Sequence, residues 1–388
     1  AFELKINPTF VEARIELEQM IQERRLVSYD IETLGGCLVD CIAFSNSPGY
    51  SISIPLYIRF GDGKVLPYWK TRAEQTEIFC LLKTLLESDV PKVAQNSQYD
   101  NLILQEYYKI TVRNCCYDTM VLAHALYCEL PKDLGTLISI YANLPYMKHL
   151  KRNTGNADHW TYNAMDALAN LHILQGELSE AESLGILQHY LLIPHQALRP
   201  INEMQLVGVN VNDELRISAL SREESLQKQI MEIFDCVFPV SFSQDKKWPH
   251  KIKPGSGPDK VKLFLRYFGC KPQFNKGQIT MDKKTMDKYQ EDPRHYVALL
   301  AKAFQKFTAS VTMAGKLRTP LYKGRLHTAY SVGGIDEDTE DEEGTDTGRL
   351  NSRKSIFYVK NLDGKWVRGG TNLQNLKKGV QREMLIPG

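Results

Sequence analysis

Four carboxylates lie along the first half of this sequence in settings that could hold two divalent cations. Asp30 and Glu32 sit two apart in "LVSYDIETLGG", Asp100 falls in "VAQNSQYDNLIL", and Asp166 in "YNAMDALANL". Each lies in or beside an apolar stretch, where an uncompensated negative charge is expensive to bury. Such a set persists in a fold when something cationic sits among it. Hard oxygen ligands select Mg²⁺ or Mn²⁺, and a carboxylate site for two such ions can hydrolyse a phosphodiester. Asp30 and Glu32, two apart on a strand, project from one face and can reach one ion together. Tyr162 precedes Asp166 by four residues, so on a helix the phenol and the carboxylate stack one turn apart.

The surrounding pattern supplies elements to position these groups. "RLVSYDI" (25–31), "DCIAFSN" (40–46) and "YSISIPLYI" (50–58) read as three strands with short turns, an antiparallel meander. Ile78, Leu81, Leu82 and Leu85 recur at helical spacing, predicting a helix that ends near Glu87. "KVAQN" (92–96) is a further strand and Tyr99–Tyr108 a helix. "TMVLAHALYCEL", "DLGTLISIYA" and the long "WTYNAMDALANLHILQGELSEAESL" are helical. Asp118, at the head of "YDTMVLAHAL", reads first as a helix N-cap and second as support for the carboxylates. This order is α+β and fits a ribonuclease-H-like mixed sheet.

At 388 residues the chain is too long for one ordinary core. Pro194 and a shift to long helical patterns mark a boundary near 186–200. Helical spacing resumes at 226–234, 259–268, 282–290 and 293–316. After Pro320 the chain turns strand-like, with a hairpin expected around "VKNLDGKWV", where Asp363-Gly364 is a turn signal. The net charge of +2 hides two opposed blocks: residues 245–288 carry twelve Lys/Arg against four Asp, and 336–346 carry eight acids and no base. No run approaches the roughly 20 apolar residues that a membrane span needs. Residues 1–10 show no secretion leader, and eight scattered cysteines read as reduced thiols, so a cytoplasmic location is expected.

"SYDIET", "NSQYD" and "YNAMD" resemble the three exonuclease motifs of the 3′–5′ proofreading exonucleases, in the four-carboxylate subclass with a tyrosine in the third motif. The resemblance covers about residues 20–185, and every motif position is filled. It implies that Asp30, Glu32 and Asp166 hold one metal ion, Asp30 and Asp100 a second, and that Tyr162 orients the attacking water. It also implies that Asn96 touches the substrate strand and that Thr33 and Leu34 lie against the terminal nucleotide.

Further on, "LRPINEMQLVGVNVN" (198–212) and "QITMDKKTM" (278–286) resemble the thumb of family A DNA polymerases, and "GRLHTAYS" (324–331) resembles the strand leading into their palm. "TGRLNS" (347–352) and "NLQN" (372–375) are similar to the motif that meets the primer–template minor groove. The implied organisation is an exonuclease domain at 1–185, a thumb-like helical region with a basic tip at 186–320, and the start of a palm at 321–388. Arg349 is then a primer-end contact, Asn372 and Gln374 support the template side, and Lys246, Lys247, Lys251 and Lys253 meet duplex phosphates. The acidic block and the long spacer before Asn-Leu-Gln-Asn depart from relatives, and such divergence suggests a phage source. The sequence stops at "REMLIPG", where the family continues into its first polymerase aspartate, so nucleotide addition is expected to need a second polypeptide carrying palm and fingers. Competing expectations are a ribonuclease of the RNase D type and a non-catalytic DNA-clamping subunit.

Overall fold

The three apolar runs become the middle of a six-stranded sheet in the computed structural model, which describes residues 2–151, 155–238, 252–332, 350–361, 364–373, 376 and 379–386. In chain order come β1 (Glu3–Lys5), α1 (Phe10–Glu23), β2 (Val27–Leu34), β3 (Leu38–Ser47), β4 (Tyr50–Pro55) and the small hairpin β5 (Tyr57–Arg59) and β6 (Val65–Pro67). Then follow α2 (Arg72–Glu87), β7 (Lys92–Ala94), α3 (Ser97–Tyr108), β8 (Cys115–Asp118), α4 (Thr119–Leu126), α5 (Leu134–Tyr141), α6 (Lys148–Lys151) and α7 (Asn156–Ser183). The sheet order is β1-β4-β3-β2-β7-β8. β2, β3 and β4 are the expected antiparallel meander, while β1 joins β4, and β7 and β8 extend from β2, all in parallel. It is a mixed sheet with helices.

Local chemistry sets the helix starts. Thr9 with Glu12 and Thr71 with Glu74 form reciprocal capping boxes at α1 and α2. Asp118 accepts the Val121 amide at 3.1 Å and so caps α4. The 28-residue α7 packs across β2, β3 and β4 and also against α4 and α5. Its inner face buries Leu168, Ile173 and Leu174, each contributing about 1.5–3 kcal/mol by leaving water. The same helix also buries His159, Asn163, Asp166, Asn170 and Glu177.

The chain beyond residue 185 stays with this sheet. Helices α8 (Leu187–Leu192) and α9 (Pro194–Val207) follow, with Pro194 at the first helical position, where a missing N–H costs nothing. Tyr190 is fully buried and its hydroxyl accepts the Asp118 amide at 2.8 Å. Leu198 joins a core cluster with Val93, Val121, Leu122 and Leu174. By contact, Ala1–Gly208 and His327–Gln374 form one compact unit, and Val209–Leu326 with Asn375–Gly388 a second. Helices α8 and α9 are pinned to the sheet's own core.

The second unit is largely helical. It runs through β9 (Val209–Val211), α10 (Asp213–Val237), α11 (Gly257–Val261) with a π-helical turn at Lys262–Tyr267, β10 (Phe274–Asn275), β11 (Gln278–Ile279), α12 (Lys283–Gln290), α13 (His295–Leu317) and β12 (Arg325–Leu326). Phe234, Phe264, Met286, Tyr289 and Phe304 fill its core. In the first unit, β13 (Thr328–Ser331) pairs with β14 (Asn351–Lys354), and β15 (Tyr358–Lys360) pairs with β16 (Trp366–Arg368). α14 (Val380–Glu383) and β17 (Leu385–Ile386) return to the second, where β17 pairs with β9. The acidic block 336–346 lies outside the described residues.

Glu177 shows what the stripe of polar groups on α7 costs. Neither of its carboxylate oxygens has a hydrogen-bond partner among the described residues. Burial first, then the charges of Asp118 and Glu180, push its carboxyl well above the usual range. A carboxyl raised in the fold is favourable while protonated and loses stability as pH rises past its unfolded value. Glu177→Gln should therefore raise Tm more at pH 8 than at pH 5.5, by about 2–4 °C for each kcal/mol of relieved burial. Thermal melts of both proteins at the two pH values measure this, and an equal gain at both would show that Glu177 is not a buried charge.

Candidate active site

Strand alternation puts Asp30 and Glu32 on one face of β2, both half-buried, and α7 crosses that face to bring in Asp166. One oxygen from each of these three carboxylates lies within 4.8 Å of the others. Asn163, one turn before Asp166 on α7, is fully buried and donates its Nδ2 to Asp30 Oδ2 at 2.8 Å and to the Asp30 carbonyl at 3.1 Å. Its own Oδ1 accepts the Ser53 hydroxyl at 2.9 Å. A buried chain from β4 through α7 thus fixes the orientation of the Asp30 carboxylate.

Asp100, in the first turn of α3, is 5% exposed. It is not within the tight trio, but it senses Asp30 and Glu32. Burial first, then the charges of Asp30, Glu32 and Asp118, raise its carboxyl well above the usual range, opposed by a hydrogen bond from the Ile31 backbone. Its Oδ2 has no hydrogen-bond partner among the described residues. Tyr162 is buried, and burial followed by the charges of Asp166, Glu32 and Asp30 holds its phenol protonated, with a hydrogen bond to Asp166.

Asp118 organises the approach to Asp100. Its Oδ2 accepts both the amide and the hydroxyl of Ser97 at 2.7 Å, and its Oδ1 accepts the Asn96 amide at 3.3 Å. Asn96 stands at the N-cap position of α3 with φ 54°, and its side chain makes no cap bond. Of the two parts expected of Asp118, the N-cap is present. Thr33 shares a 3.0 Å hydrogen bond with Tyr99, and Leu34 closes β2 beside the Gly35-Gly36 turn.

A second cluster lies behind the first. The register of β2 on β3 pairs Glu32 with Cys41 and Thr33 with Val39, so Asp40 is the extra residue of a bulge. Asp40 Oδ2 stands 3.0 Å from His159 Nε2 and 3.4 Å from Arg59 Nε, and Cys41 lies within reach of the same point. Asp40, Cys41 and His159 are buried and Arg59 is half-buried. The Arg59 guanidinium already supplies positive charge here, so the arrangement reads as a packed ion-pair network. The contacts are at ion-pair distance without well-aligned hydrogen bonds. A cavity of about 630 Å³ lies elsewhere, between Asn101, Arg113, Cys115, His195 and Arg199.

The structure therefore brings Asp30, Glu32, Asp166 and Tyr162 together with Asp100 close by, while Asn96 is bonded to Asp118 and Thr33 to Tyr99. Asn163, Ser53 and Tyr99 were not singled out in the sequence. Asn163 had a signal, since position i−3 from Asp166 shares its helix face. Among the other expected contacts, Lys253 is exposed, with its backbone amide tied to Asp259 at 2.9 Å, and Asn372 is half-buried. Lys246, Lys247, Lys251, Arg349 and Gln374 lie outside the described residues.

Residues 8–179 match the model of the DNA polymerase A exo1 family, described as 3′–5′ exonuclease. The first unit thus carries a 3′–5′ exonuclease domain. Across both units the fold is similar to that of the POL domain of Pol1 from M. smegmatis, solved in complex with DNA primer-template and dNTP, with a TM-score of 0.67. The two share 16% identity, and the match covers 98% of this chain and 57% of that one. No curated protein matches this sequence.

A carboxylate buried against two others should be destabilising whenever it is ionised. In EDTA at pH 7.5, Asp100→Asn is expected to melt higher than the parent, because its raised carboxyl is above its unfolded value and its charge is then a cost. An unchanged or lower Tm would mean that the charge is already compensated within the protein.

Proposed function

We propose that this chain hydrolyses the 3′ ends of single-stranded DNA as a two-metal 3′–5′ exonuclease, releasing 5′-mononucleotides. The observation that carries the reading is the convergence of Asp30, Glu32 and Asp166 beside a buried Asp100 with an unpartnered oxygen. Such a donor set, all hard oxygens and strongly self-repelling, fits Mg²⁺ or Mn²⁺. Asp30, Glu32 and Asp166 would hold one ion, and Asp30 with Asp100 the other. When bound, the pair supplies Lewis-acid stabilisation of the phosphoryl charge and of the departing 3′ oxygen.

The protein's own groups do the positioning. Tyr162, kept protonated and hydrogen-bonded to Asp166, would orient the attacking water. Asn163 keeps the shared Asp30 carboxylate from rotating. Asn96 contacts the substrate strand, while Thr33 and Leu34 pack the terminal nucleotide. In the second unit, the exposed Lys253, Arg266, Lys271, Lys276, Lys283, Lys284 and Lys288 support phosphate contact by a thumb, with Lys246, Lys247 and Lys251 completing the basic tip. Arg349, Asn372 and Gln374 are assigned to primer–template. We assign nucleotide addition to this chain acting together with a palm and fingers.

With Mg²⁺ or Mn²⁺ and 5′-labelled single-stranded DNA, a ladder shortening from the 3′ end is expected. Asp166→Ala should lower the rate by about 10³-fold or more, and full activity in that variant would remove the site. Asn163→Ala should weaken Mn²⁺ binding about 10–100-fold, the usual cost of losing a group that orients a ligand. Titration calorimetry of Mn²⁺ in the absence of DNA reads this directly, and parental affinity would deny Asn163 its role.

A further inference from the structure

We propose that the β15–β16 hairpin is a stacking platform that guides single-stranded DNA to the exonuclease site, an inference that rests on the nuclease reading above. The first observation is where the hairpin sits. The Tyr358 ring packs against Gly36, in the turn that follows Thr33 and Leu34, so closely that a Cβ on Gly36 would come within 2.6 Å of it. Gly36 also has φ +76°, a left-handed conformation that glycine adopts without strain. The hairpin therefore starts at the rim of the carboxylate site.

The second observation is what one face of it presents. Cross-strand pairing sets Tyr358 opposite Arg368 and Lys360 opposite Trp366, so these four side chains share a face. The Arg368 guanidinium lies 6.0 Å from the Tyr358 ring centroid, and Lys360 Nζ lies 5.4 Å from that of Trp366. Trp366 is 64% exposed, which leaves much of the indole open for a base. Lys360 and Arg368 are exposed as well. Residues 351–373 carry Arg353, Lys354, Lys360, Lys365 and Arg368 against one acid, Asp363. Aromatic rings interleaved with cations bind single strands, because every base has a face to stack and every linkage a charge to neutralise. A duplex keeps its base faces inside its own stack and cannot use such a platform.

The test uses the whole 388-residue chain and two substrates. Fluorescence anisotropy with labelled dT20 in EDTA reads binding without catalysis. Trp366→Ala should weaken it about tenfold, and Trp366→Phe should restore most of it. Lys360→Ala/Arg368→Ala should flatten the salt dependence by about 1.4 in the log–log slope, two phosphate contacts on a single strand. With Mg²⁺, the alanine variants should raise KM for dT20 and leave kcat, and the hydrolysis of thymidine 5′-monophosphate p-nitrophenyl ester, as in the parent. Unchanged dT20 affinity in Trp366→Ala overturns the proposal, as does tighter parental binding to rU20 or to duplex than to dT20. If no protein hydrolyses the small ester yet the variants bind dT20 weakly, the platform stands and the nuclease reading falls.

Discussion

Asp30, Glu32, Asp100 and Asp166 repel one another in a partly buried site, and the surrounding structure has to hold them against that repulsion. Two of them gain rigidity from a central strand of the sheet, one from the middle of a 28-residue helix, and one from the first turn of another. No single element could present all four. The fold is an arrangement in which β2, α3 and α7 meet at one point, and each is anchored by apolar burial well away from it.

The anchoring is also polar. Asn163 joins β4 to Asp30 through α7, and Asp118 joins the end of β8 to the start of α3. Tyr190 ties that same Asp118 to α8, so helices past residue 185 contribute to the placement of Asp100. Buried polar groups of this kind are stabilising only when satisfied. The Asn163, Ser53 and Ser97 side chains near the acids are satisfied. Asp40, Arg59 and His159, and Glu177 and Asn170 further along α7, carry side-chain atoms that find no hydrogen bond among the described residues.

Much of this could be read from the sequence because it is local. Asp-x-Glu on a strand and Tyr-x-x-x-Asp on a helix declare a shared face through backbone periodicity alone, and the meander and the capping role of Asp118 follow from the same short-range rules. What could not be read depends on contacts between distant residues. Pro194 suggests a break, yet a proline begins a helix as readily as it ends a segment, and only the packing of Tyr190 and Leu198 decides which. The bulge at Asp40 depends on a pairing register that strand propensity does not encode. The hairpin at 358–368 was visible as a hairpin, but nothing in its sequence points to Gly36.

The bulge has a mechanical meaning. Up to Glu32 and Cys41 the ladder with β3 is continuous, so the backbone that bears the acids is braced on that side, while β7 pairs only with Val27 and Ser28. One residue later the regular pairing is interrupted, and stiffness along the ribbon falls at that joint. The loop beyond can bend in response to whatever presses on it while the carboxylates keep their spacing, as a hinged tip moves without disturbing the blade behind it.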